Sequence, residues 1–193
     1  MSPDPGNQKR ALRAELRERR QNMTATEREQ ASEALTRNLI ELTTELSAAS
    51  VAAYLSGSME PNTRPYLNWA FDNGIRMLLP ISREDGLLDW TVGDGTTEAE
   101  GLYGMPEAVG ELLGPIAIND VDLILVPAAA IGADGLRMGW GRGYFDKTLG
   151  SMEKCPPVYA VIFDGELVDE VPRERHDQPV NGVVTPSGIV RFS

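Results

Sequence analysis

Residues 123–146 read LILVPAAAIGADGLRMGWGRGYFD, and both the fold and the chemistry of the chain turn on them. Leu123–Val126 is apolar at every position, the pattern of a strand buried on both faces at the centre of a largely parallel sheet. Pro127 ends the run. Gly132 and Asp134–Gly135 read as a structural turn, because Asp-Gly is a strong turn signal. Beyond it Gly139, Gly141 and Gly143 fall on alternate positions with Arg137 and Arg142 among them, and Tyr144, Phe145 and Asp146 close the segment. Glycines let a backbone come close to a ligand without Cβ clashes. Successive backbone N–H groups leading into a helix form an anion cradle. Guanidinium groups neutralise phosphate, and a carboxylate at the far end can hold Mg²⁺. The segment therefore predicts a nucleotide-phosphate site. It is not a Walker A loop, which needs Gly-Lys-Ser/Thr, nor GxGxxG, since the third glycine comes one position early.

Strands and helices alternate on either side of this segment. Residues 1–8 read as a disordered leader. Lys9–Asn22 predicts a helix with Leu12 and Leu16 at i, i+4. Thr24 and Glu27 fit a capping box and start a second helix, which carries Ala31, Leu35, Leu39 and Leu42 on one face to about Leu46. Val51–Leu55 reads as a strand. Asn62 or Thr63 then caps a helix with Pro65 in its first turn and Gly74 at its end. Ile75–Leu79 is the next strand, stopped by Pro80, and Leu87–Val92 is another. Gly93–Asn119 reads as a long loop with room for one short strand. Downstream come a helix from Tyr144 to Gly150, a buried strand over Val158–Phe163 and a polar turn from Pro172 to Pro179. Val183–Val184 and Ile189–Val190 read as late edge strands. The alternation predicts an α/β sandwich with a mainly parallel sheet. No repeat or linker divides residues 9–193, which read as a single domain. Ligands of open sheets bind beyond the carboxyl ends of the strands. The loops after Leu55, Val126 and Phe163 lie at such ends, and the glycine loop is among them.

Composition narrows the function. The 193 residues are enough for one domain with its own core, and 41% hydrophobic with 24% charged residues is ordinary for a soluble protein. No apolar run approaches the ~20 residues of a membrane span. The polar start MSPDPGNQKR lacks the pattern of a signal peptide. Cys155 stands alone, which excludes a disulfide framework and a cysteine metal site and predicts a cytoplasmic setting. A net charge of −11 argues against a nucleic-acid partner, which demands a basic face. Yet Lys9, Arg10, Arg13, Arg17, Arg19, Arg20 and Arg28 crowd one short stretch. Lys9 and Arg13 share a helix face, and Arg17 and Arg20 continue near it. Such a face suits a small anionic ligand, or only solvent.

Other residues suggest roles on their own. Glu60, after the first strand, is either a carboxylate that accepts a pair of ring N–H groups or an exposed loop residue. His176 is the only histidine, so a Ser–His–Asp relay and a histidine-rich metal site lack support. Asp177 could share Mg²⁺ with Asp146, since Mg²⁺ takes one or two carboxylates plus substrate phosphates. Tyr103, Trp140 and Tyr144 suit stacking on a flat heteroaromatic ring in a chain with only 6% aromatic residues, whereas Trp69 and Trp90 read as core.

The order Pro127, Gly135, Arg137, Gly139, Gly141, Gly143, Tyr144, Phe145, Asp146 resembles the signature of the 5-formyltetrahydrofolate cyclo-ligases, also called 5,10-methenyltetrahydrofolate synthetases. Lys9–Arg10–Ala11–Leu12–Arg13 is similar to the family's N-terminal motif, and Tyr54–Leu55–Ser56 with Glu60 to its first strand and loop. Tyr103–Gly104–Met105–Pro106–Glu107 is similar to its middle loop, and Glu174–Asp177 with Val183–Val184–Thr185 to its closing segment. The resemblance implies a three-layer α/β/α sandwich. It implies a monomeric ligase that uses ATP as co-substrate and Mg²⁺ as cofactor. Such an enzyme converts 5-formyltetrahydrofolate to 5,10-methenyltetrahydrofolate, through a phosphorylated formyl group, and releases ADP and phosphate. By position, ATP would fall to Lys9, Arg10, Ala11, Leu12 and Arg13 and to Arg137, Met138, Gly139, Trp140, Gly141, Arg142, Gly143, Tyr144 and Phe145. Arg142 and Arg137 would be catalytic and Asp146 and Asp177 would bind metal. Leu55, Glu60, Tyr103, Trp140 and Tyr144 would meet the folate. The chain departs from the family's usual pattern at Gly132, Phe145 and Ala108. Two other readings stand beside this one: a non-catalytic folate- or nucleotide-binding paralogue, and an isomerase or transferase of sugar phosphates or CoA esters on a similar scaffold. The last needs a committed base in the cleft, for which Glu60 is the one candidate. Keeping Lys9, Arg13, Arg142, Asp146 and Asp177 together favours catalysis over binding alone.

Overall fold

The computed structural model describes residues 4–93, 98–100, 106–152 and 156–192. The first helix, α1 (Pro5–Gln21), begins four residues before Lys9. Asp4 caps it by accepting the Gly6 N–H at 3.2 Å, and Pro5 fills the first position, where a missing N–H costs nothing. The stretch from Pro5 to Gln8, expected to be disordered, is therefore helical. In α2 (Ala25–Glu45) the capping box forms as expected: Thr24 Oγ1 accepts the Glu27 N–H, and Glu27 Oε1 accepts the Thr24 N–H.

The chain continues through β1 (Ser50–Ala52), α3 (Arg64–Asp72), β2 (Arg76–Ser82) and β3 (Leu88–Val92). The segment expected as a loop holds β4 (Glu98–Glu100) and β5 (Pro106–Ala108), which pair with each other, then β6 (Leu112–Leu113) and a 3₁₀ turn over Pro115–Asp120. Next come β7 (Leu123–Pro127), β8 (Ala130–Gly132), β9 (Arg137–Met138), α4 (Tyr144–Gly150) and β10 (Val158–Val161). A 3₁₀ turn at Asp164–Glu166 leads to β11 (Leu167–Val168), β12 (Gly182–Thr185) and β13 (Gly188–Arg191).

The main sheet has the order β13-β12-β10-β7-β1-β2-β3-β6. From β12 to β2 all neighbours run parallel, and β13, β3 and β6 add antiparallel margins. Alternation at period 2 sorts the side chains. Val51, Met77, Leu79, Leu123, Leu125, Tyr159, Val161 and Val184 pack against Leu35, Leu39 and Leu42 of α2 and Tyr66, Leu67 and Ala70 of α3. Ala52, Leu78, Ile124, Val126, Val158, Ala160 and Val183 face the other way, onto α4 and the Pro115–Asp120 turn. The result is the three-layer α/β/α sandwich. Among the described residues no helix is long and apolar enough to cross a membrane.

Two features position the site. The strand β2 runs through Pro80, which was expected to stop it. The Leu78 carbonyl accepts from Ala53 on the β1 side, so Pro80, two residues on, turns its nitrogen to that side just where β1 has ended. No ladder bond is lost, and Pro80 remains paired with Trp90 of β3 in register. Helix α1 joins neither face of the main sheet. Its Leu16, with Leu12 beside it, packs on Ala129, Ala130, Leu136, Met138 and Val171, over the small sheet β11-β8-β9 that follows β7. The basic helix thus crosses the carboxyl end of the central strand.

Candidate active site

A cleft of about 710 Å³ opens at that end, walled by α1, the loop after β1, the β2–β3 hairpin and the glycine loop. The loop after β9 carries Gly139–Gly143 into α4, with Gly141 at φ +107° and Gly143 at φ +77°. Both lie in backbone territory that L side chains rarely adopt. Gly139 meets a different constraint: a Cβ there would stand 2.9 Å from Arg137 Nη1. Helix α1 holds the loop directly, since Arg13 Nε donates to the Gly139 carbonyl at 2.8 Å. Arg142 lies exposed on the loop and lines the cleft.

Arg137, expected at phosphate, lines the cleft from a buried position. It is 4% exposed, its Nε donates to the Pro127 carbonyl at 2.8 Å, and Nη1 stands 3.5 Å from Asp146 Oδ1. Its guanidinium also covers the Phe145 ring at 5.5 Å. Burial lowers its pKa below the usual arginine value, and the Asp146 charge opposes that shift. Arg137 braces the glycine loop against the end of β7, which is a positioning role.

Helical rotation divides the Lys9–Arg13 stretch. Lys9 and Arg13 line the cleft, whereas Arg10 and Ala11 face solvent and Leu12 packs inward. Arg10 bonds Asn7 on its own helix. Met138 is buried beneath α1 and is also not a cleft residue. Lys9, expected at phosphate, is buried and donates to Asp177 Oδ1 and Oδ2 at 2.7 and 2.8 Å, with Glu174 Oε1 at 3.0 Å. The lysine thus neutralises the carboxylate expected to hold metal.

Asp146, His176 and Asp177 bring one ligand atom each within 4.8 Å of one another. Asp146 Oδ1 is buried without a hydrogen-bond partner among the described residues. Burial raises the Asp146 pKa above its ordinary value, against the pull of Arg137, and the Asp177 charge adds to the rise. An unsatisfied buried carboxylate oxygen beside a second carboxylate is a hard-donor set that suits Mg²⁺.

On the opposite wall stand Leu55 and Glu60. Glu60 Oε1 accepts the Gly57 N–H at 2.9 Å. Burial raises its pKa, and the Gly57 N–H and the Arg20 charge pull it back. Tyr144 contributes its ring to the wall while its hydroxyl donates to the Arg83 carbonyl at 2.8 Å. The Trp140 ring is covered by Arg20 at 4.8 Å and Arg17 at 5.4 Å, so part of its stacking surface is already occupied. Tyr103 lies outside the described residues.

Sequence reasoning missed the partner that fixes Arg20. Arg20 and Glu166, each about 96–97% buried, form a two-pronged pair at 2.7 and 2.8 Å, and Arg20 Nη2 also donates to the Ala128 carbonyl. The helical spacing of Arg20 was visible, but a partner 146 positions away was not. Tyr54, Met59, Pro80 and Ser82 also line the cleft without having been singled out.

The family model of the 5-formyltetrahydrofolate cyclo-ligases matches residues 5–186. The 5-formyltetrahydrofolate cyclo-ligase of Mycolicibacterium smegmatis is 35% identical over 98% of this chain and 98% of its own length. The 5,10-methenyltetrahydrofolate synthetase of Aquifex aeolicus superposes with a TM-score of 0.80 at 27% identity, over 95% of this chain and 92% of that one. The synthetase of Mycoplasma pneumoniae shares the fold, with a TM-score of 0.75 at 18% identity, over 92% of this chain and 98% of that one. With the glycine loop, the α1 cations and Asp146 lining one cleft, Asp177 beside Asp146, and these matches spanning nearly the whole chain, the protein belongs to the 5-formyltetrahydrofolate cyclo-ligase family, a family of ligases.

Proposed function

We propose that this cleft closes 5-formyltetrahydrofolate to 5,10-methenyltetrahydrofolate, with ATP as co-substrate and Mg²⁺ as cofactor. The observation that carries the reading is one cleft lined by the glycine loop, Lys9 and Arg13 of α1, Glu60 and Asp146, with an Asp177 oxygen within 4.8 Å of one of Asp146. In the proposed reaction the formyl oxygen attacks the γ-phosphorus of ATP and ADP leaves. N10 then attacks the activated formyl carbon and loses its proton. Phosphate departs with the original formyl oxygen, leaving the ring closed. An amide oxygen is a poor leaving group, and phosphorylation makes it a good one.

The chain's own residues serve this by position and charge. The backbone of Gly139–Gly143 receives the phosphates, flanked by Arg13. Arg142 meets charge developing on the γ-phosphoryl group. Arg137 keeps the loop in place. Asp146 and Asp177 would hold Mg²⁺, which neutralises phosphate charge. Lys9, paired with Asp177, adds positive charge at that end of the cleft. Glu60 accepts the pterin N–H pair, and Leu55 and the ring of Tyr144 pack on the folate.

We take the enzyme to work in the cytoplasm as a single-domain monomer. The test mixes the protein with 5-formyltetrahydrofolate, ATP and Mg²⁺ and follows the methenyl product by absorbance. Product that requires both ATP and Mg²⁺ is the expected result. Folate bound without turnover would make the protein a binding paralogue.

A further inference from the structure

Tyr54 lies two residues beyond β1, in the cleft wall beside Leu55. It is 4% exposed, and its buried hydroxyl has no hydrogen-bond partner among the described residues. Its carbonyl accepts from Thr63 Oγ1 at 2.9 Å. A buried hydroxyl left unanswered weakens a fold, and phenylalanine would fill the same space without that cost. Burial first, then the nearby Glu60 charge, pushes the phenol well above the usual tyrosine range, while Arg20 pulls the other way. At neutral pH the group is thus an O–H with a proton to give.

The partner follows from the chemistry of the neighbouring wall, and this step rests on the function proposed above. If Glu60 accepts from the pterin's 2-amino and N3–H groups, the next atom around the ring bears the 4-oxo oxygen. That oxygen is an acceptor, which a carboxylate repels. The wall near Glu60 needs a donor there. The side chains of Leu55, Met59 and Pro80 offer none, and Arg20 holds its Nε and Nη2 on Glu166 and the Ala128 carbonyl. We infer that the Tyr54 hydroxyl donates to the pterin 4-oxo oxygen and so sets the preference of this cleft for 4-oxo over 4-amino pteridines.

The test measures binding of 5-formyltetrahydrofolate and of its 4-amino-4-deoxy analogue to the full chain, with Tyr54→Phe beside the wild type. The hydroxyl's loss should weaken the 4-oxo ligand by about threefold to tenfold and leave the 4-amino ligand within about twofold. In turnover the loss should appear mainly in KM. The melting temperature should stay level or rise, because the free protein gives this hydroxyl no partner. Equal losses for both ligands, no loss for either, or a fall in melting temperature would overturn the inference. So would a wild type that binds the 4-amino ligand as well as the 4-oxo one, a comparison that needs no variant. Turnover by the wild type alongside any of these leaves the proposed function standing. A wild type that binds neither folate defeats both.

Discussion

Replacing Glu166 by glutamine probes how α1 is held over the cleft. The substitution keeps the shape and one acceptor, so the Phe163 N–H that Glu166 Oε1 receives at 3.0 Å can still be answered. It removes the charge facing Arg20, which is 3% exposed with Nε and Nη2 both aimed at the carboxylate. Breaking a buried pair from one side leaves a charge in low dielectric, at a cost of about 3–5 kcal/mol. Against a total stability of roughly 5–15 kcal/mol that is a large fraction. At about 2–4 °C per kcal/mol for a chain of this size, the melting temperature should fall by roughly 6–20 °C. Urea unfolding gives the free-energy change directly. Trp140 fluorescence reports the local geometry, because the Arg20 guanidinium lies 4.8 Å from that ring. The double variant Arg20→Leu with Glu166→Met should recover most of the loss, since an apolar pair carries no desolvation penalty. A cost for Glu166→Gln below about 1 kcal/mol, the range of surface pairs, would show that water reaches the pair and that α1 is not anchored this way.

The active site yields further tests. Arg142→Ala should lower kcat by about 10²–10³ while folate affinity changes little; the reverse pattern in single-turnover and binding measurements would deny it a phosphate role. Asp146→Asn should raise the Mg²⁺ concentration for half-maximal turnover by about tenfold or more, read from a metal titration. Glu60 must be ionised to accept the pterin N–H pair, and its pKa lies above the ordinary 4.5. Folate binding should therefore strengthen as pH rises through that raised value. Folding runs the other way: a carboxyl that holds its proton more tightly when folded contributes stability at low pH and loses it as pH climbs. Glu60→Gln should flatten the acid limb of the folate-binding profile and leave the protein no less stable at pH 7, which calorimetry and binding at several pH values would check.

What could be read from the sequence was what is local. The run Leu123–Val126 declares a buried strand through its own residues, and alternate glycines declare a loop through theirs. Lys9 and Arg13 fall together because i and i+4 share a helix face. The same geometry turns Arg10 and Ala11 away from the cleft: a motif is read as a line, while each residue turns the helix by about 100°. Pro80 looked like a stop because its tolerance depends on β1 ending first, a fact about a neighbouring strand. Arg137 looked like Arg142 in sequence, yet one packs on the Pro127 carbonyl and the other lies exposed on the loop. Tyr54 stood out only as part of the first-strand motif, since an unanswered hydroxyl is a property of its surroundings.

The cations of α1 also show how a chain with net charge −11 can gather positive charge at one cleft. Lys9 reaches Asp177 and Glu174, and Arg20 reaches Glu166, across sequence separations of 168 and 146 for Lys9–Asp177 and Arg20–Glu166. Each buried cation is neutralised before any ligand arrives, so the empty cleft need not hold bare positive charge. Buried pairs of this kind add little net stability, but they fix where a helix sits. Leu16 alone would leave α1 free to slide along the apolar surface of Ala129, Leu136 and Met138. The two pairs, eleven residues and about three turns apart on the helix, lock both its position and its rotation, and Arg13 lies between them. The guanidinium at the glycine loop is therefore aimed by contacts it does not itself make. Because both locks depend on residues near the end of the chain, the phosphate side of the cleft cannot be assembled until the last third of the protein has folded against the first helix.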